Sequence, residues 1–103
     1  MKTMDEGAAA ALHPAAGQPA QGLDQMPLHA RALVTDLRPA GDAQERAIVL
    51  RLLEIGFLPG ELVQVVARGG LGGDPIAVRV GQATFALRRR EASLVRVRAE
   101  AGQ

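Results

Sequence analysis

The sequence predicts a mainly β fold: a small closed barrel interrupted by one short helix. Three observations lead there. Short segments with alternating apolar side chains recur through the second half of the chain, tight turn signals separate them, and one stretch, Ala43–Ile55, switches to helical periodicity. Closing such strands into a barrel would also remove exposed sheet edges.

Taken in order, residues 1–22 are rich in Ala, Gly, Pro and Gln, with Pro14 and Pro19 interrupting any helix and little to bury. They read as a flexible tail, in which a helix over Ala8–Leu12 would be marginal alone. Leu23-Asp24-Gln25-Met26-Pro27 reads as an anchor, with Leu23 and Met26 as its apolar contacts. Arg31–Leu37 is a strand centred on Val34 and ended by Arg38-Pro39-Ala40-Gly41.

Asp42 and Glu45 have capping-box spacing for a helix over Ala43–Ile55. Ile48, Leu52 and Ile55 share its apolar face, with Val49 and Leu53 on the flank, and Leu50 points away between Arg46 and Glu54. Gly56 supplies the left-handed stop, after which Phe57 can pack back on Leu52. Leu58-Pro59-Gly60-Glu61 fits a type II turn.

Strands follow at Leu62–Arg68 (Val63, Val65 and Ala67 on one face), Ile76–Val80 (Ile76, Val78 and Val80 inward) and Ala83–Leu87. The Gly81-Gln82 link makes a hairpin of the last two, and Leu94–Val97 closes the set. The domain is therefore 23–98, with 99–103 a frayed end.

Composition narrows the function. The 103 residues contain no Cys, Trp or Tyr, and only Phe57 and Phe85 are aromatic. Disulfides, thiolate zinc sites and iron–sulfur clusters are excluded. The aromatic platforms that grip proline-rich peptides or stack single-stranded nucleic acid are missing. Net charge is +1. Within 23–98, eleven Arg stand against eight acids, a balance of +3 that is modest for duplex binding. No apolar run is long enough to cross a bilayer. Asp5 and Glu6 occupy the place of a basic signal-peptide n-region, so the chain reads as cytoplasmic.

Leu52-Leu53-Glu54-Ile55-Gly56-Phe57-Leu58-Pro59-Gly60 resembles the helix-stop core of the ferrous iron transport protein A (FeoA) family, Leu-Leu-x-Leu-Gly-x-x-Pro-Gly. Val65-Val66-Ala67-Arg68 followed by Leu71-Gly72-Gly73-Asp74-Pro75-Ile76 is similar to that family's Val-Val-Arg and Pro-Leu-Gly-Asp-Pro-Ile elements. Leu87-Arg88 with Ala92, Val95 and Val97 resembles its closing pattern, and Leu23-x-x-Met26-Pro27 its opening. The chain departs from the pattern at Gly70, at the additional Gly73, and at His29, where a turn glycine is common.

The resemblance implies an SH3-like barrel with a helical insertion. It also implies a non-catalytic role in bacterial ferrous iron uptake, docking to the GTPase-bearing cytosolic part of a FeoB-type transporter and modulating it. No cofactor is expected. Two surfaces are candidates for the contact: the outward side of the helix, Arg46, Leu50 and Glu54, and the Leu71–Pro75 loop with Gly72 and Asp74. Gly56, Pro59 and Gly60 are expected to serve as architecture.

No catalytic constellation stands out, since His13 and His29 lie outside regular elements. Gly69-Gly70-Leu71-Gly72-Gly73-Asp74 lacks the Gly-Lys-Ser/Thr and following helix of a phosphate loop. His29, Glu61 and Asp74 are plausible metal-binding side chains without ligand spacing, so no metal site is assigned. Arg88-Arg89-Arg90 is either solvated barrel-end charge or a dock for an acidic surface. The alternative functions are a small basic barrel on nucleic acid, through Arg31, Arg38 and the Arg88–Arg90 run, and a transition-metal-binding regulatory module.

Overall fold

The computed structural model describes residues 19–100. The expectations for Ala8–Leu12, for His13, for most of the 1–22 tail and for 101–103 lie outside the described residues.

Six strands and two helices follow one another as β1 (Gln21–Gly22), β2 (Arg31–Leu37), α1 (Ala43–Ile55), β3 (Leu62–Arg68), β4 (Ile76–Val80), β5 (Ala83–Leu87), α2 (Arg89–Ala92) and β6 (Val95–Ala99). Short 3₁₀ turns occupy Leu23–Gln25 and Leu71–Gly73. All ladders are antiparallel, in the order β1-β6-β2-β3-β4-β5. The ladder does not close as the sequence suggested: β1 and β5 are its edges, and α2 packs against β5 and the Leu23–Gln25 turn at the seam.

Helix α1 begins where Asp42 accepts the Glu45 N–H at 2.8 Å. The expected capping box is only half made, because the Glu45 carboxylate reaches one residue further and accepts the Gly41 N–H at 2.9 Å. The helix ends in a Schellman arrangement. Gly56, at φ 123°, donates to the Leu53 carbonyl and Phe57 donates to Leu52, each at 3.1 Å. Phe57 and Leu52 are both fully buried. In the turn that follows, Gly60 has φ 91° and Glu61 donates to Leu58 at 3.0 Å, as a type II turn requires.

The core consists of aliphatic side chains from both sides of the seam: Leu23, Met26, Val34, Val63, Val65, Ile76, Val78, Leu87, Val95 and Val97, closed by Leu52 and Phe57. Burial of this apolar surface is the main force holding so small a domain together. Ala67 departs from expectation and is exposed. A bulge between Val65 and Ala67 shifts the β3–β4 register, so alternation no longer carries Ala67 inward.

Two boundaries also differ. Gln21 and Gly22 pair with Val97 and Arg96, and Ala99 pairs with Ala32. The ladder therefore reaches past the expected edges at 23 and 98, because backbone pairing continues where apolar alternation has stopped. The last strand correspondingly runs Val95–Ala99 and not Leu94–Val97.

Candidate functional site

The sequence offered two candidate contact regions, and the structure treats them differently. On α1, Arg46, Leu50 and Glu54 are all exposed, with Leu50 56% accessible. Leu53, assigned from sequence to the flank of the buried face, is itself 38% accessible. Its position three residues beyond Leu50 sets both leucines on one side of the helix. Leu58, just past the helix stop, is 45% accessible. Among the described residues neither Arg46 nor Glu54 makes an ion pair. The outward face is thus a pair of leucines flanked by one free cation and one free anion.

The Leu71–Pro75 region is committed internally. Gly72 and Gly73 have φ of 73° and 70°, and Asp74–Pro75 is a cis peptide. Asp74 accepts the Arg89 N–H at 3.0 Å, and the Gly72 carbonyl accepts the Arg89 guanidinium at 3.4 Å. The base of the loop is pinned where Gly69 donates to the Pro75 carbonyl at 2.7 Å. A Cβ on Gly69 would lie 2.7 Å from that same oxygen, a requirement for glycine with no signature in the local sequence.

Arg88-Arg89-Arg90, read from sequence as barrel-end charge or a dock for an acidic surface, is split by a helical turn. Arg89 and Arg90 open α2, because Glu91 accepts the Arg88 N–H at 2.9 Å and starts a helical turn. Arg89 then faces the loop and approaches Asp24 at 4.0 Å, Arg90 approaches Glu45 at 3.8 Å, and Glu91 pairs with Arg51 at 3.0 Å. Helix α2 therefore links the loop to α1. It meets α1 through Glu45 and Arg51, not through the side that carries Leu50. No hydrogen bond or ion pair among the described residues joins Arg46, Leu50 or Glu54 to Leu71–Pro75.

Two further ion pairs form elsewhere among the described residues. Arg31 lies 3.2 Å from Glu100, and Arg96 holds Asp36 through paired guanidinium hydrogen bonds, one of them at 2.9 Å. That contact with Arg96 holds the Asp36 carboxyl below its usual range. Of the arginines the sequence offered to a nucleic acid, Arg31, Arg89 and Arg90 face Glu100, Asp24 and Glu45, whereas Arg38 and Arg88 form no ion pair among the described residues. A groove of about 550 Å³ lies between Arg38, Pro39, Glu45, Ser93, Leu94 and Arg96, and its lining carries both signs of charge.

His29 has φ 71°, the left-handed turn geometry that a glycine usually takes, and its carbonyl accepts from Gln64 at 2.7 Å. No group of three or more metal-ligating side chains occurs among the described residues. No helix among them is long and apolar enough to cross a membrane.

A family model for the FeoA domain matches residues 22–99. The chain is 45% identical to Stenotrophomonas maltophilia FeoA, over 76% of this chain and 89% of that one, with a TM-score of 0.67. That protein was solved with zinc and is described as an SH3 domain protein proposed as a ferrous iron transport activating factor. FeoA from Chlorobium tepidum is 30% identical over 80% of this chain and 72% of that one, with a TM-score of 0.66. A manganese-dependent transcriptional repressor, 22% identical over 80% of this chain and 42% of that one, shares the fold at a TM-score of 0.65. None of the curated proteins matches the chain.

Proposed function

Because the chain belongs to the FeoA domain family, we propose that it is a non-catalytic accessory of ferrous iron uptake that docks on a FeoB-type transporter. The family ties it to ferrous iron transport, and its architecture is the SH3-like barrel with a helical insertion. The docking site is the cytoplasmic, GTPase-bearing part of the transporter, and the chain acts there from the cytoplasm by modulating its partner.

The observation that carries this reading is the outward face of α1. Leu50 and Leu53 are exposed together on a helix whose ends are fixed by a side-chain cap and a Schellman stop. A rigid helix presenting paired leucines with one cation and one anion beside them suits a groove that is apolar at its centre and polar at its rim. Arg46, Leu50 and Glu54 supply the principal contact, with Leu53 added by the structure. In the loop, the exposed Pro75 and the backbone around Gly72 supply the second contact, whereas the Asp74 carboxylate is engaged by α2.

Calorimetric titration of the chain into the cytosolic domain of the cognate transporter tests the proposal, with GDP and then with a GTP analogue. Saturable binding in at least one nucleotide state is expected. Absence of heat and of any complex in both states would overturn the docking proposal while leaving the family assignment in place.

A further inference from the structure

Strand β5 is the outer edge of the sheet; α2 packs against it, but the strand itself carries none of the charges, prolines or bulges that ordinarily blunt an edge. Its sequence, Ala83-Thr84-Phe85-Ala86-Leu87, carries no charge and no proline, and its register with β4 is unbroken by any bulge. The two-residue link Gly81-Gln82 makes Val80 and Ala83 a hydrogen-bonded pair. Alternation then turns the N–H and C=O of Thr84 and Ala86 away from β4. Among the described residues these groups have no partner, and both side chains are exposed. The open span ends at Arg88, whose N–H is taken by Glu91 and whose carbonyl is taken by Ala92. Phe85, one of the chain's two aromatic residues, is half-buried at its centre.

We propose that β5 pairs antiparallel with β5 of a second copy of this chain, about a two-fold axis through Phe85. Thr84 of each copy then faces Ala86 of the other, and each pair exchanges both backbone hydrogen bonds, which satisfies the free groups of the edge. Phe85 falls on the axis as a non-hydrogen-bonded pair, the arrangement that brings side chains closest. Its ring lies on the core side of the sheet, as its partner Val78 does, so the two rings meet there.

The occupant is a second copy because the register is self-complementary. In this register Arg88 lies opposite Gln82, so no like charges meet, and no charge on β5 marks the edge for an acidic or basic foreign strand. On the opposite face, Ala67, Ala77 and Ala86 border a shallow groove of about 200 Å³, and side chains this small leave room for an added strand. The contact is isologous and closes at two subunits. It uses β5 and leaves the α1 face free, so it goes beyond the docking proposal and stands or falls separately.

Sedimentation of the full chain over a dilution series from about 1 mM to about 1 μM tests it. A dimer at the top of the series that dissociates on dilution is expected. Ala86→Pro removes an outward N–H without touching the β4 ladder, so it should weaken association at least about tenfold and leave melting at low concentration nearly unchanged. Phe85→Cys introduces the only thiol in the chain, at cross-axis spacing suited to a disulfide. Mild oxidation should give a covalent dimer in high yield, well above that of a Leu50→Cys control. A wild-type chain that stays monomeric throughout would overturn the proposal, as would a dimer that persists undiminished in Ala86→Pro.

Discussion

Helix α1 and the loop–α2 corner share two ion pairs, Arg51–Glu91 and Glu45–Arg90, yet α1 leaves its other two charges, Arg46 and Glu54, exposed and outside any ion pair among the described residues. In α1 the cap, the apolar period and the glycine stop are each satisfied within the segment, so Arg46, Leu50, Leu53 and Glu54 are left facing outward. At the corner, Asp74, Arg89, Arg90 and Glu91 all spend their charge on neighbours within the domain. Exposed charge at the corner is therefore engaged within the domain. What distinguishes α1 is exposed apolar area on an element that is already complete.

The contrast can be broken by unsettling either element. The largest effect is expected at the glycines that set backbone paths. Gly69→Ala drives a methyl into the Pro75 carbonyl, and Gly56→Val forces a β-branched residue to φ 123°. Each should cost about 1–3 kcal/mol. For a domain of this size that lowers the melting temperature by about 4–8 °C per kcal/mol, read by thermal denaturation. Unchanged melting of Gly56→Val would refute the helix-stop account.

These two glycines also mark what could be read in advance. Gly56 announces itself, since it follows an apolar helical period and precedes an apolar residue that can fold back. Gly69 does not, because the atom that excludes a side chain there belongs to Pro75, brought close by the loop. The same divide runs through the rest of the fold. The boundaries of α1, β2, β3, β4 and β5 follow from period and turn chemistry alone. Helix α2, the β1 pairing and the exposure of Ala67 depend on long-range partners and a bulge, which no local pattern encodes. Of the candidate contact residues, Arg46, Leu50 and Glu54 could be set outward by periodicity. The engagement of Asp74 could not be foreseen, because Arg89 meets it only after α2 has formed.

A smaller effect should follow Asp74→Ala, which leaves the first N–H of α2 without its acceptor. A loss of about 1 kcal/mol is expected, because the contact is exposed. Differential scanning calorimetry would read it, and Arg89→Ala, which keeps the main-chain N–H that Asp74 accepts, should not abolish the effect of Asp74→Ala.

The smallest effect concerns acid stability. Arg96 lowers the Asp36 carboxyl in the folded chain, so the pair contributes above the unfolded Asp range and is lost as pH falls through the lowered folded value. Asp36→Asn should therefore narrow the stability difference between neutral and acidic solution slightly. Paired melts at neutral pH and below the ordinary Asp range would show it, and an unchanged difference would mean that the pair is fully screened by solvent.

The principal contact is proposed to be the leucine face of α1, with the charges of the loop–α2 corner held within the domain. The most direct test titrates Leu50→Asp and Asp74→Ala, side by side, into the transporter's cytosolic domain in the nucleotide state that binds the wild type. The account predicts that Leu50→Asp melts like the wild type but binds at least about tenfold more weakly, while Asp74→Ala binds within about twofold of the wild type. Wild-type affinity in Leu50→Asp, together with a large loss in Asp74→Ala, would place the contact at the loop and contradict it.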